Sequence, residues 1–299
     1  MSDFKPGESG SESVTPEGGR IHHTDHVDHG HRHDDALHRL RTAGSVTMSP
    51  ELFEQLYLAP QTSVKGDLRR TFGNPTPICL GGFLLAATPL SMVLLGWQGA
   101  GGLGAANVGS YVFFGGILEI VGAVLEWILG NTFPALVFST FAAFWLTFAS
   151  VLIPNFGAYG MYSTDASNPA EGLTEPAFFA TFSLFLVAMA ILCAVYCVAS
   201  LRTNVVFFMI FLTLIPTFAC LSASFFDLAH GRAARALTLQ HAGAGMLFAV
   251  SLMGWYIFLA LVFLAVDFPV SLPLGDLSTV VKGAGDRARA RRAEDTTDA

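Results

Sequence analysis

Two carboxylates, Glu119 and Glu126, lie inside one apolar run of residues 108–129. Their spacing of seven places them on one face if the run is a helix. A charged side chain in hydrocarbon costs roughly 2.5–3.5 kcal/mol on insertion scales, so each must carry a proton, find a partner or face water. Glu119 is the deeper of the two and is a candidate proton-linked group. Glu126 stands near the Gly130-Asn131-Thr132 link, where it is a candidate either for the same role or for holding a helix end by hydrogen bonds. The second chemical feature is Asn74-Pro75-Thr76-Pro77, at the start of the first apolar run. Pro75 and Pro77 donate no backbone hydrogen bond and bias the residues before them away from helix. One reading is a broken backbone at the mouth of a polar pathway, with free helix N–H groups suited to an anion. The other is proline in the first turn of an ordinary helix. Hydroxyls such as Thr88, Thr140, Thr147 and Thr217 could pass a small polar solute along, although most such groups bond their own helix backbone.

The remaining reactive side chains suggest less. Seven of the nine histidines fall between His22 and His38. A solvated low-complexity tail is the expected reading and metal binding the alternative, because the spacing fixes no ligand geometry. Cys79, Cys193, Cys197 and Cys220 lie in or beside apolar runs and are expected to be reduced core residues. No Ser-His-Asp set, His-Glu-x-x-His or phosphate loop occurs, so no enzyme, cofactor or metal site is expected.

The elements that must position these groups are membrane spans. The chain has 299 residues, 52% hydrophobic and only 13% charged, against roughly 25% charged in soluble domains. Six apolar runs approach or exceed the ~20 residues needed to cross a bilayer. They cover about Ile78–Gly96, Val108–Leu129, Phe133–Ile153, Pro176–Leu201, Val205–Phe226 and His241–Val266. The expected fold is an all-α integral membrane protein with six transmembrane helices per protomer and a disordered N-terminal tail. Residues 1–70 form that His-rich tail, with a short amphipathic piece near 50–59. Residues 71–270 form the transmembrane transport domain, and 271–299 a basic tail. No cleavable signal peptide is read, so the first span is expected to act as its own insertion signal. Lys65, Arg69, Arg70, Arg202 and five C-terminal cations share one side, against Arg232 and Arg235 on the other, which predicts both termini in the cytoplasm. No basic face joins aromatic residues in a folded region, so nucleic acid is not an expected partner. Pairs of small residues such as Gly82 and Ala86 allow close helix contact within or between subunits.

Asn74-Pro75-Thr76-Pro77 resembles the Asn-Pro-Ala-Pro signature of the acetate uptake transporter family, also called GPR1/FUN34/YaaH. Further matches follow in order: Phe113-Phe114-Gly115-Gly116, then Glu126 with Gly130-Asn131-Thr132-Phe133, then Phe144-Trp145-Leu146, and the span-closing Pro154. The resemblance covers roughly residues 70–270. It implies six-helix protomers assembled as a hexamer in the plasma membrane, moving acetate and other short monocarboxylates, often with protons. It places Asn74, Pro75 and Pro77, with Asn131 and Thr132, at the entrance of the solute path. It places Phe83, Phe141 and Leu212 at a hydrophobic constriction. Two departures stand out: Phe141 where the family commonly has Tyr, and Glu119 where it often has Gln. The expected function is therefore a transporter or channel for small monocarboxylates. The alternatives are ammonia or ammonium export, and a membrane sensor or scaffold that no longer transports.

Overall fold

The computed structural model of the chain describes residues 72–277. The expected tail of residues 1–70, its amphipathic piece near 50–59 and the cations beyond 278 lie outside the described residues. Six helices are long and apolar enough to cross a membrane. In hydrocarbon no water satisfies a backbone amide, so each run closes its own hydrogen bonds as helix. Helix α1 is Thr76–Leu94, α3 is Thr132–Leu152, α4 is Pro176–Ser200, α5 is Val205–Ala229 and α6 is Ala233–Ala265. Helix α2 is composite, with α-helical Val108–Ser110 and Glu119–Ile128 flanking a π-helical stretch at Tyr111–Leu118. Nothing in the periodicity of this all-apolar stretch separates π from α winding.

The proline motif begins an ordinary helix. The Asn74 side-chain oxygen accepts the Thr76 backbone N–H at 3.0 Å, and the Ile78 N–H reaches the Pro75 carbonyl at 2.9 Å. Prolines here remove only donors that a first helical turn leaves unpaired anyway. Helix α2 ends where Gly130 takes a left-handed φ of 79°, and the Asn131 N–H turns back to the Glu126 carbonyl at 2.9 Å, a helix stop that glycine makes at no steric cost.

The sixth helix starts at Ala233, well before the expected His241. Asp227, buried at the end of α5, causes the difference. Arg232 Nε donates to Asp227 Oδ1 at 2.7 Å, and Arg235 Nε lies 2.9 Å from Oδ2. This ion cluster anchors a first turn of alanines, which favour helix strongly. The far end also differs from expectation. Residues 271–277, read as part of the basic tail, pack on the bundle: Leu274 is fully buried. The Val205 N–H donates to the Gly275 carbonyl and the Leu277 N–H to the Thr203 carbonyl, both at 2.9 Å.

The helices close on themselves in chain order. Helix α1 packs on α2 and α6, α2 on α3, α4 on α5, and α5 on α6. Side chains join α3 to α4: Thr140 and Tyr196 hydroxyls meet at 3.0 Å, and the Phe144 and Phe185 rings stack. Helices α1 and α2 approach closely at Gly82, where a Cβ would come within 2.6 Å of the Phe114 carbonyl oxygen and 3.2 Å of the Glu119 nitrogen. Only glycine lets the two backbones meet at the level of Glu119.

Candidate functional site

The bundle encloses a small chamber in which water centres can occupy about 30 Å³, roughly two waters at about 10–15 Å³ each. Five helices line it. Leu80 and Phe83 come from α1, Glu119 from α2, Val137, Phe138 and Phe141 from α3, and Gly254 from α6. Helix α5 gives Phe207, Ile210, Phe211 and Leu214. Glu119 is the one polar side chain among these lining residues.

Its setting is unusual. Glu119 is fully buried, and neither carboxyl oxygen has a hydrogen-bond partner among the described residues. On α1, Cys79 Sγ lies 4.0 Å from the Glu119 backbone carbonyl oxygen. A buried polar group without a partner costs about 1–3 kcal/mol, so such a group calls for an explanation.

Beside it stand two aromatic rings. Phe83 and Phe141 meet edge to face with centroids 5.9 Å apart, and Trp145 backs Phe83 at 6.3 Å. Both phenylalanines are buried. Leu212, assigned to the same constriction, does not join them: it is 42% exposed on the outside of α5. At 100° per residue, Phe207, Ile210, Phe211 and Leu214 form one inward stripe, and Leu212 lies nearly opposite. Phe211 and Leu214 therefore occupy the place where Leu212 was expected. The stripe was invisible in a run that is apolar on every face.

Glu126 does different work. It too is fully buried, but the Thr76 hydroxyl donates to its Oε1 and Asn131 Nδ2 donates to its Oε2 at 2.6 Å. The carboxyl group thus ties the first turn of α1 to the α2–α3 link. In the sequence Thr76 stands out only as part of the Asn74–Pro77 motif, and no local signal pairs it with an acid fifty residues on. Asn74 orients this first turn through Thr76, and Pro75 is buried beside it. Pro77 is half-buried, and Thr132 is exposed at the head of α3. Seven residues at 1.5 Å rise put this knot roughly 10 Å from Glu119, toward the bundle end that holds the start of α1. The two acids share a face but not an environment.

Outside the spans, the connection between α3 and α4 is ordered by Glu171. Its Oε2 accepts from the Ser163 and Thr164 hydroxyls at 3.0 and 3.2 Å and from the Asp165 N–H at 3.3 Å. These bonds, led by Ser163, hold the Glu171 carboxyl below its ordinary value of 4.5. All four cysteines are free thiols.

Six helices of bilayer-spanning length, five of them lining an apolar chamber beside the buried Glu119, describe a multi-pass membrane protein. The chain belongs to the GPR1/FUN34/yaaH family, whose profile matches residues 58–278. Protein alcS of Aspergillus fumigatus is 43% identical over 234 residues, 78% of this chain and 86% of that protein. Acetate transporter protein patA of Penicillium expansum is 31% identical over 227 residues, 73% of this chain and 86% of that protein. Among solved structures, the bacterial acetate channel SatP is similar in fold, with a TM-score of 0.53 at 24% identity, covering 68% of this chain and 99% of SatP.

Proposed function

We propose that the protein carries acetate or similarly small monocarboxylates across the plasma membrane, coupled to protons. The observation that carries this reading is the chamber lined by α1, α2, α3, α5 and α6, apolar over its accessible surface and backed by the buried Glu119. It is sized for a very small solute and lies beside the Phe83–Phe141 pair, which acts as the constriction with Phe211 and Leu214. Relatives named as an acetate transporter and an acetate channel support the substrate class. Glu119 is the proton-linked group, and Glu126 serves by fixing the helix ends.

The entrance at Asn74, Pro75, Pro77, Asn131 and Thr132 opens on the side that holds both termini. The distribution of Lys and Arg supports that side as cytoplasmic. The working unit is a homohexamer. Exposed apolar residues along α2, among them Phe113, Ile117, Val121 and Val124, support a face covered by lipid or by a neighbouring copy. Residues 71–270 form the transport domain, and the role is transport rather than catalysis.

The test is uptake of labelled acetate into proteoliposomes holding the purified protein, with and without an inward proton gradient. Saturable uptake that rises with the gradient is expected. Flux of methylammonium but not acetate would favour ammonium export, and binding without flux would favour a sensor.

A further inference from the structure

We infer that residues 266–277 form a strap that holds the start of α5 in place, and that its undocking opens an aromatic gate of Phe133, Phe207 and Phe211 on the entrance side of the chamber. This rests on the reading of the chamber as the solute path.

The strap exists because α6 outruns its neighbour. Helix α6 has 33 residues and antiparallel α5 has 25, so at 1.5 Å rise the end of α6 overhangs the start of α5 by roughly 12 Å. Residues 266–277 fold back over this overhang. The Tyr256 hydroxyl on α6 donates to the Pro273 carbonyl at 2.8 Å. Farther on, Asn204 and Asp276 face each other as in one rung of an antiparallel ladder, with the Val205 and Leu277 N–H bonds on either side. Val205 is the first residue of α5, and its N–H is one of the donors that a helix start leaves unpaired. The Gly275 carbonyl meets it, while the Asn204 side chain accepts the Phe207 N–H at 2.8 Å. The strap therefore completes the cap of α5.

The rings at this end of α5 give the cap its consequence. Phe207, two residues past Val205, lines the chamber. Its ring lies 5.0 Å from Phe211 and 6.2 Å from Phe133, and Phe133 lies 6.3 Å from Phe211. Phe133 follows Thr132 of the entrance. Three rings packed on one another thus stand between entrance and chamber, two of them on the helix end that the strap holds. Little holds the strap itself. Leu274 is buried, but residues 266–271 are all exposed, and Pro269 and Pro273 have no N–H to give. A segment with few buried apolar contacts opens at a fraction of the global unfolding free energy. Its release strips the Val205 N–H of its acceptor and frees the first turn of α5 to carry Phe207 away from Phe133, with the packing of the six spans left in place.

The test locks the strap. A Cβ built at Gly275 lies 3.2 Å from the Val205 Cβ, near the roughly 3.5–4.5 Å that a disulfide spans, so Val205→Cys with Gly275→Cys can be bridged. In full-length protein in nanodiscs, the Val205 and Leu277 amides of the wild type should exchange at least about a hundredfold faster than those in the middle of α5, and oxidising the cysteine pair should slow them about tenfold or more. In proteoliposomes, oxidation should cut labelled acetate uptake by the double variant about tenfold or more, and reduction should restore it. Neither treatment should change the wild type. Adding Phe207→Ala should return the oxidised protein to within about threefold of its reduced rate. Leu277 exchange as slow as in the middle of α5 overturns the inference, as does full uptake by the oxidised pair or a block that Phe207→Ala leaves in force. Wild-type protein that takes up no acetate would instead sink the transport reading, and the exchange result would still decide whether the strap opens.

Discussion

Replacing Glu126 by Leu should destabilise the bundle without touching the chamber. The substitution removes the acceptor for two buried donors, the Thr76 hydroxyl and the Asn131 side-chain amide. Thr76 is 3% and Asn131 6% exposed, so water cannot readily replace the lost partner. Each stranded donor costs about 1–3 kcal/mol, which gives roughly 2–6 kcal/mol for the pair. Glu126→Gln keeps one acceptor oxygen and turns an amide toward the other donor, so about half that loss is expected. The assay is reversible denaturation of the protein in mixed micelles, followed by helical circular dichroism. A double-mutant cycle with Thr76→Val isolates the cross-helix bond, with an expected coupling of about 1–2 kcal/mol. Stability of Glu126→Leu within about 0.5 kcal/mol of wild type, or no coupling to Thr76, would refute the claim that this knot joins α1 to the α2–α3 link.

Three further outcomes follow from the geometry. Asp227→Asn should cost about 1–2 kcal/mol in the same assay, because charge-assisted hydrogen bonds to a buried carboxylate are lost, whereas Arg235→Ala, at a 68% exposed side chain, should cost under about 1 kcal/mol. Phe83→Ala should change the acetate uptake rate and lower stability by roughly 3–5 kcal/mol as a large-to-small core substitution, so rate is compared at matched folded protein. The Glu171 carboxyl is held below its ordinary value of 4.5 mainly by Ser163, and Asp165 below 3.8 mainly by Ser167. A lowered folded value means that the ordering is complete above the unfolded value and is lost as pH falls through the folded one. Hydrogen-exchange protection of residues 163–171, corrected for intrinsic rates, should therefore hold above about pH 4.5 and fall below it, and Glu171→Gln should leave only the part that Asp165 contributes below its ordinary value of 3.8.

The six spans were legible because membrane helices announce themselves by length and composition, and the link at Gly130-Asn131-Thr132 by its glycine. The start of α6 was misplaced because hydropathy falls across Arg232 and Arg235, while the ion pairs that make those residues part of a helix N-terminus reach back to Asp227. The seven-residue spacing of Glu119 and Glu126 put both on one buried face. Their different surroundings depend on Thr76 and Asn131, which no periodicity connects to them. The inward stripe of α5 was hidden for a general reason. In a span that is apolar all round, only packing reveals which leucine or phenylalanine faces the interior, and so Leu212 was chosen where Phe211 and Leu214 stand. Residues 271–277 carry no helical pattern, and their docking rests on one buried leucine and two backbone hydrogen bonds.

The central claim is that the chamber lined by Phe83, Glu119, Phe141 and Leu214 is the solute path. The most direct measurement is labelled acetate uptake by Leu214→Trp and Leu212→Trp, each reconstituted at matched amounts of folded protein. Leu214→Trp puts an indole into a space of about 30 Å³ and should reduce uptake at least tenfold, whereas Leu212→Trp, on the outer face of α5, should transport like wild type. Full uptake by Leu214→Trp, with Leu212→Trp the variant that fails, would contradict the account and move the path out of this chamber.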